Sequence, residues 1–149
     1  MDTRTALYDQ DFYAWTQAQA ALLEARQFAD LDLLNLVDEV MTLGVSERRA
    51  LSSHLIILVL HLLKWRYQPA ERLTSHSWAD SIRHARLQID LLLDTSPSLR
   101  PGLPGMLTRY YPKARRVAAD ETHLALATFP EGCPWTLDDI LAYDFFPES

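Results

Sequence analysis

The most apolar stretch of the sequence lies near its middle. From Leu55 to Leu63 every residue except His61 is a large apolar one, so a helix formed there is hydrophobic on all sides. Such a helix lies either in the centre of a helical domain or in a membrane, and a membrane span needs roughly 20 consecutive apolar residues. His54 and Lys64 close this run much earlier. We therefore predict a buried central helix over about residues 46–67.

The residues before it predict two further helices. Asp9 or Asp11 can cap a first helix that ends near Arg26, and Asp30 can cap a second that ends near Leu43. Apolar residues of the second helix share one face at helical spacing and are predicted to pack into the core: Leu33, Leu36, Val37, Val40 and Met41. Gly44 supplies the left-handed residue that often ends a helix. A tight turn there, with Ser46 opening the central helix, would make the two helices antiparallel.

The residues after the central helix predict a loop over 69–76 and two more main helices. The fourth helix begins with Ser77 as its cap, and its apolar stripe alternates in steps of four and three: Trp78, Ile82, Ala85, Ile89 and Leu92. After a break rich in proline, a fifth helix spans about 105–122. Pro112 inside it predicts a kink or a split, because proline removes one backbone hydrogen bond.

The C-terminal segment from Phe129 to Phe146 is rich in aromatic residues. Thr136 and Asp139 have the spacing of a helix cap, which predicts a last short helix. The segment is too apolar to stay in solvent, so we expect it to pack back onto the helices. Together these elements predict an all-α, single-domain helical bundle, residues 1–149, with about five main helices around the buried central helix.

Composition narrows the class of protein further. Hydrophobic residues make up 48% of the 149 residues and charged ones 23%, which is typical of a globular domain. The net charge of −6 disfavours binding to nucleic acid or to an anionic membrane surface. Cys133 is the only cysteine and the N-terminus lacks the pattern of a signal peptide, so we expect a cytoplasmic protein. Beside Cys133 the sequence places no histidine as a catalytic base, so its role stays open.

Three polar residues beside or inside the central helix need an explanation: His54, His61 and Lys64, whose spacing puts them on roughly one side of it. One interpretation is a buried polar site in which a neutral His61 acts as base or ligand and Lys64 pairs with an acid, Asp38 or Glu39 on the preceding helix. The other interpretation is structural: a core histidine bonded to a carbonyl or carboxylate, and a lysine that reaches solvent along its apolar stem.

Metal and cofactor signatures are missing from the sequence. Bundle metal sites use Glu-x-x-His pairs on facing helices, and the chain contains no such pair and no HExxH segment. No glycine-rich loop follows a strand pattern, and no nucleophile lies beside a suitable base in the sequence. We therefore expect neither a metal nor a cofactor and name no catalytic residue.

Several segments together resemble a known family. They are LYDQDFYAWTQAQAALLEARQFADLDLLNLVDEVMTLGVSERRAL, HLLKWRYQP, SWADSIRHARLQIDLLL and FPEGCPWTLDDILAYDFFP. In this order they resemble the bacterial family catalogued as domain of unknown function number 29, and the likeness extends over nearly the whole chain. The resemblance implies an all-helical, cytosolic bacterial protein and brings no activity with it. Pro104, Gly105 and Pro112 depart from the family's pattern, where relatives carry a more continuous helix.

The family's recurring polar and aromatic positions fall on these residues: Glu39, Arg48, His61, Lys64, Ser77, Trp78 and Arg86. Two functional hypotheses follow. The first is a helical interaction module whose partner is another protein or a second copy of the chain, because apolar and aromatic residues are in excess for one small domain. The second is a small-molecule-binding protein or enzyme that uses Glu39, His61, Lys64 and Arg86 between the second, central and fourth helices.

Overall fold

A computed structural model describes residues 3–72 and 76–148, and every regular element in those residues is helical. This confirms the predicted all-α class. The described residues form seven α-helices: α1 (Thr3–Gln10), α2 (Phe12–Glu24), α3 (Leu33–Tyr67), α4 (Pro69–Arg72), α5 (Ser77–Thr95), α6 (Leu103–Thr122) and α7 (Leu137–Leu141). Among the described residues, no helix is both long enough and apolar enough to cross a membrane.

The predicted turn at Gly44 is wrong. α3 is a single helix of 35 residues that passes through both Gly44 and Ser46, and Gly44 does not adopt a positive φ. One glycine inside a helix costs only about 1 kcal/mol relative to alanine, and good helix formers on both sides outweigh that cost. The second and central helices of the sequence prediction are therefore one helix, and they are not antiparallel.

The chain divides into two compact units, Met1–Ser46 and Glu47–Ser149, which we call unit 1 and unit 2. In unit 1 the predicted first helix is two helices, α1 and α2. Asp11 caps α2, as predicted, since its carboxylate accepts a hydrogen bond from the Ala14 amide at 3.0 Å. Trp15 and Gln19 of α2 are buried, and Arg26, with a φ of 58°, follows the end of the helix in the left-handed conformation.

The core of unit 2 forms around the C-terminal part of α3. Leu51, Leu55, Leu58 and Leu62 repeat in steps of four and three and are fully buried, which confirms the predicted core of the apolar run. Ile57 is an exception, because 39% of its surface is exposed and one side of this helix is therefore wet. The predicted stripe of α5 is also confirmed at its centre, where Ile82, Ala85 and Ile89 are buried.

Several predicted boundaries in unit 2 shift. α5 begins at Ser77 itself, so the capping position falls on His76. The predicted loop over 69–76 contains the short helix α4, and its residues 73–75 lie outside the described part of the chain. α6 begins at Leu103 and continues through Pro112, so the predicted split is wrong. Pro112 and Thr108 are both exposed, and water can therefore bind the carbonyl of Thr108 that lacks its helical donor.

The aromatic C-terminal segment packs back onto the other helices of unit 2, as predicted. Thr136 caps α7 by accepting a hydrogen bond from the Asp139 amide, and Phe129 and Ile140 are fully buried. Arg86 of α5 holds the segment that follows. Its guanidinium donates three hydrogen bonds to backbone carbonyls, from Nε to Ile140 at 2.9 Å, from Nη1 to Tyr143 at 3.2 Å and from Nη2 to Phe145 at 2.6 Å.

Replacing this guanidinium tests how strongly it holds the C-terminal segment. We expect Arg86→Met to lower the free energy of unfolding by about 3 kcal/mol, because three carbonyls lose a charged donor in a buried setting. The matched control is Arg116→Met, an exposed position of α6, with an expected change within about 0.5 kcal/mol. Urea titration measures both. Equal losses in the two variants would contradict a clamping role for Arg86.

Candidate functional site

The N-terminal part of α3 exposes a continuous apolar surface. Seven of its side chains, which we call the α3 face, are between 46% and 84% exposed: Leu33, Leu34, Val37, Val40, Met41, Leu43 and Val45. Sequence periodicity placed part of this set on one helical face and assigned that face to the core. The prediction that these residues share a face is correct. The prediction that they are buried is wrong, apart from Leu36, which is half-buried.

The opposite, polar side of α3 makes the contacts inside unit 1. Tyr8 of α1 donates a hydrogen bond of 2.5 Å to the Glu39 carboxylate, and Asn35 donates from Nδ2 to Asp32 at 2.8 Å. Asn35 and Glu39 are four positions apart and therefore lie on one side of the helix, and Leu43, four positions after Glu39, is the member of the α3 face nearest to that side. Because that side binds the rest of unit 1 through polar groups, the apolar side is left in solvent.

Asp32 is the centre of this polar contact. It is 7% exposed, and its carboxylate accepts hydrogen bonds from the Trp15 indole at 3.0 Å and from Asn35. Its amide donates to the Gln19 side chain at 2.8 Å, so three side chains from two elements converge on one residue. Buried hydrogen bonds to a charged group are each worth about 1.5–3 kcal/mol.

Aromatic rings complete the interior of unit 1. Tyr8 contacts Trp15 edge to face with centroids 4.8 Å apart, and Phe12 stacks near Trp15 at 5.7 Å. The hydrogen bond to Glu39, followed by burial and the nearby carboxylates, raises the pKa of Tyr8 to about 12. Tyr8 therefore stays protonated and remains a donor over the whole physiological range.

Unit 1 also carries the whole net charge of the protein. Within Met1–Ser46 the sequence has eight acidic residues and two arginines, which leaves −6, and the chain as a whole is −6. Unit 2 is consequently balanced, with twelve residues of each sign. Five acidic residues of unit 1 are exposed: Asp9, Asp11, Glu24, Asp30 and Asp38. The α3 face is thus an apolar surface on a strongly acidic unit.

The polar residues singled out in the sequence lie in three separate settings. His61 and Lys64 are close together in unit 2, where Lys64 forms an ion pair with Glu121 of α6. The acid is therefore not Glu39 or Asp38, which the sequence favoured; Glu39 is bonded to Tyr8 in unit 1. Arg86 is engaged with the carbonyls of the C-terminal segment.

His61 is half-buried and Lys64 is buried, and both bond to protein groups. His61 donates from Nδ1 to the Ile57 carbonyl at 2.8 Å, and Lys64 Nζ lies 5.8 Å from the centroid of the Trp78 ring. A shallow apolar crevice in unit 2 is lined by other residues: Leu55, Ile56, Val59, Leu107, Tyr110, Tyr111 and Ala114. Neither His61 nor Lys64 borders it.

Clusters of metal-ligating side chains and the Cys133 thiol are the remaining chemical groups to consider. In residues 3–72 and 76–148, no three His, Cys, Asp or Glu side chains group as metal ligands. Burial raises the pKa of the Cys133 thiol, which donates to the Trp135 carbonyl at 3.4 Å. A raised pKa lowers the thiolate fraction and so makes this cysteine a poor nucleophile.

Sequence reasoning missed the α3 face as a candidate site. Helical spacing shows which residues share a face, but it does not show whether another element covers that face. The uneven distribution of charge was a usable signal, since eight of the twenty acidic residues fall within Met1–Ser46. A charge imbalance between parts of a chain indicates an interaction surface.

The polar contact at Asp32 leads to a prediction about unit 1. We expect Asp32→Ala to speed amide hydrogen exchange in α2, because the variant leaves the buried donors of Trp15 and Asn35 without an acceptor, a loss of about 1–3 kcal/mol. The neighbouring exposed Asp30→Ala is the control and should change exchange little. Mass spectrometry of exchanged peptides measures both. If the two variants exchange equally, Asp32 does not hold unit 1 together.

His61 leads to a prediction about pH. Burial lowers the pKa of His61 below its ordinary value of 6.5, and the bond to Ile57 opposes this only in part. Between the lowered pKa and 6.5 the unfolded chain binds more protons than the folded one, so stability falls as the pH drops through that window. We expect wild type to lose more stability between pH 8 and pH 5 than His61→Gln in urea titrations. Parallel losses would show that His61 does not contribute.

Comparison with known protein families places the chain in one of them. A family model described as domain of unknown function DUF29 matches residues 7–146, which is nearly the whole chain. No curated protein and no solved structure matches the chain.

Proposed function

We propose a function for the protein from the α3 face. The chain belongs to the family described as domain of unknown function DUF29, and that description attaches no activity to the family. The protein acts as a helical interaction module, and unit 1 is the part that docks onto another protein. The observation that carries this proposal is the contiguous set of seven exposed apolar side chains on one helix.

The size of the face supports the proposal. From Leu33 to Val45 the helix rises about 18 Å, which is more than three helical turns. Scattered apolar residues are normal on a protein surface, whereas a contiguous apolar patch marks an interaction site. Phe12 and Tyr13 of α2 and Phe28 are also largely exposed in unit 1 and extend its apolar surface.

The alternative, a small-molecule site at the polar residues of α3, has less support. It requires His61 and Lys64 to face a solvent-filled cavity together with Arg86. Their hydrogen bonds and ion pair go to protein groups, and the crevice of unit 2 is lined by other side chains. We further propose a bacterial cytosolic location, which the single cysteine supports.

Site-specific crosslinking tests the interaction module. We expect a photoreactive p-benzoylphenylalanine in place of Leu43 to crosslink one partner in growing cells, because that side chain is 69% exposed on the α3 face. The same probe in place of Leu87 of α5 is the matched control, since Leu87 is also a largely exposed leucine. The captured partner is then purified and its affinity measured with wild type, Leu43→Ser and Leu87→Ser.

The affinities decide the outcome. Losing one buried leucine costs about 1.5–3 kcal/mol, so Leu43→Ser should weaken binding by about tenfold or more and Leu87→Ser should leave it unchanged. Circular dichroism should show the same helix content in all three proteins, because both leucines are exposed. Equal affinities for wild type and Leu43→Ser would overturn the proposal.

A further inference from the structure

We infer that the α3 face binds a basic amphipathic helix of a partner protein. The inference rests on the proposed function and specifies its partner: a helix with one apolar side that is flanked by lysine or arginine. Two properties of unit 1 lead to it, the spacing of the apolar residues and the sign of the surrounding charge.

The spacing indicates that the occupant is a helix. Leu33, Val37, Val40 and Gly44 follow one another in steps of four, three and four, which is the seam by which two helices pack side by side. Gly44 lies at the C-terminal end of this seam, and a Cβ added there would meet no atom within 4 Å. The missing side chain and the open space allow a second helix to approach the backbone of α3 closely.

The charge indicates that the occupant is basic. Unit 1 has a net charge of −6, and Asp38, the residue after Val37, is exposed at the edge of the α3 face. Complementary charge across an interface selects partners of opposite sign. Lysine or arginine flanking the partner's seam would meet this acidic surface, whereas glutamate would be repelled.

The same charge disfavours the other occupants of an apolar helix face. If unit 1 of one copy met unit 1 of another, two surfaces of net charge −6 would repel each other. Arg48 and Arg49, which follow on α3 and are exposed, offset this repulsion only in part. Anionic lipid surfaces attract basic amphipathic helices and repel acidic ones. Each of these occupants is therefore an outcome that the experiment must separate from a basic helix.

Two synthetic peptides test the inference on the full-length protein. Both are 18-residue amphipathic helices with the same leucine seam, and their flanking positions are all lysine in one and all glutamate in the other. Fluorescence anisotropy measures their binding. We expect the lysine peptide to bind about tenfold or more tightly than the glutamate peptide, and its affinity to fall as salt shortens the screening length from about 10 Å at 0.1 M to about 3 Å at 1 M.

Variants assign the binding to the α3 face. Leu34→Ser and Leu43→Ser should each weaken the lysine peptide by about tenfold, whereas Leu87→Ser should not. Asp38→Lys should weaken the lysine peptide and strengthen the glutamate peptide, each by about two- to fivefold, as expected for an exposed ion pair. Asp94→Lys, at an exposed position of α5, is the charge control and should change neither.

Several results would overturn the inference. Equal binding of the two peptides would contradict the basic partner, and binding that Leu34→Ser and Leu43→Ser leave unchanged would place it away from the α3 face. A dimer in light scattering that Leu43→Ser dissociates would show that the occupant is a second copy. Binding of the protein to phosphatidylglycerol vesicles through the same leucines would show that it is a lipid surface. The proposed function fails separately: if the crosslinked partner depends on Leu43 but presents an acidic or neutral segment, the interaction module stands and the basic helix is wrong.

Discussion

The uninterrupted backbone of α3 is the constraint on which the other features depend. Its hydrogen-bonded ladder continues through Gly44 and Ser46, where the sequence could have turned, and the same helix therefore contributes to both units. In unit 2 the seam at Leu51, Leu55, Leu58 and Leu62 is buried. In unit 1 the seam that begins at Leu33 has the same rhythm and is exposed. A single periodic pattern thus has two different environments.

The exposure of the α3 face follows from how unit 1 is assembled. Amphipathic helices of globular proteins usually bury their apolar stripe, because burial of apolar surface is the main favourable term in folding. Here Tyr8 of α1 donates to Glu39 on the polar side of α3, and Trp15 of α2 donates to Asp32, the residue that precedes α3. These hydrogen bonds are directional and need particular partners, so they fix which side of α3 faces inward. Unit 1 is thereby oriented by polar contacts, with its aromatic rings filling the space between them.

The sequence predicted the parts of the structure that depend on local pattern. The run from Leu55 to Leu63 predicted a buried helix, and the spacing of Ile82, Ala85 and Ile89 predicted the inner side of α5, because both are properties of neighbouring residues. The turn at Gly44 was wrong because a glycine weakens a helix without necessarily ending it. Whether a helix ends at a glycine depends on the helix propensity of the residues on both sides.

The candidate sites depended on long-range pairing and were harder to predict. The acid that pairs with Lys64 is Glu121, which is far away in sequence, and no spacing rule connects the two. The three carbonyls that bind Arg86 belong to Ile140 in α7 and to Tyr143 and Phe145 after it, far from Arg86 in the sequence, so the sequence could only mark Arg86 as a residue in need of a partner. The exposure of Leu34 and Leu43 likewise depends on which helices fail to cover them.

The combination of an apolar face with an acidic unit has a physical rationale of its own. Exposed apolar surface promotes aggregation, and net charge of one sign opposes it by keeping copies of the protein apart. The charge of −6 on unit 1 acts where the α3 face lies, because unit 2 is neutral overall. Charge that repels copies attracts a partner of opposite sign, and apolar contact then supplies most of the affinity at short range. The acidic residues therefore serve solubility and selection at once, and the leucines of α3 can stay exposed until a matching helix covers them.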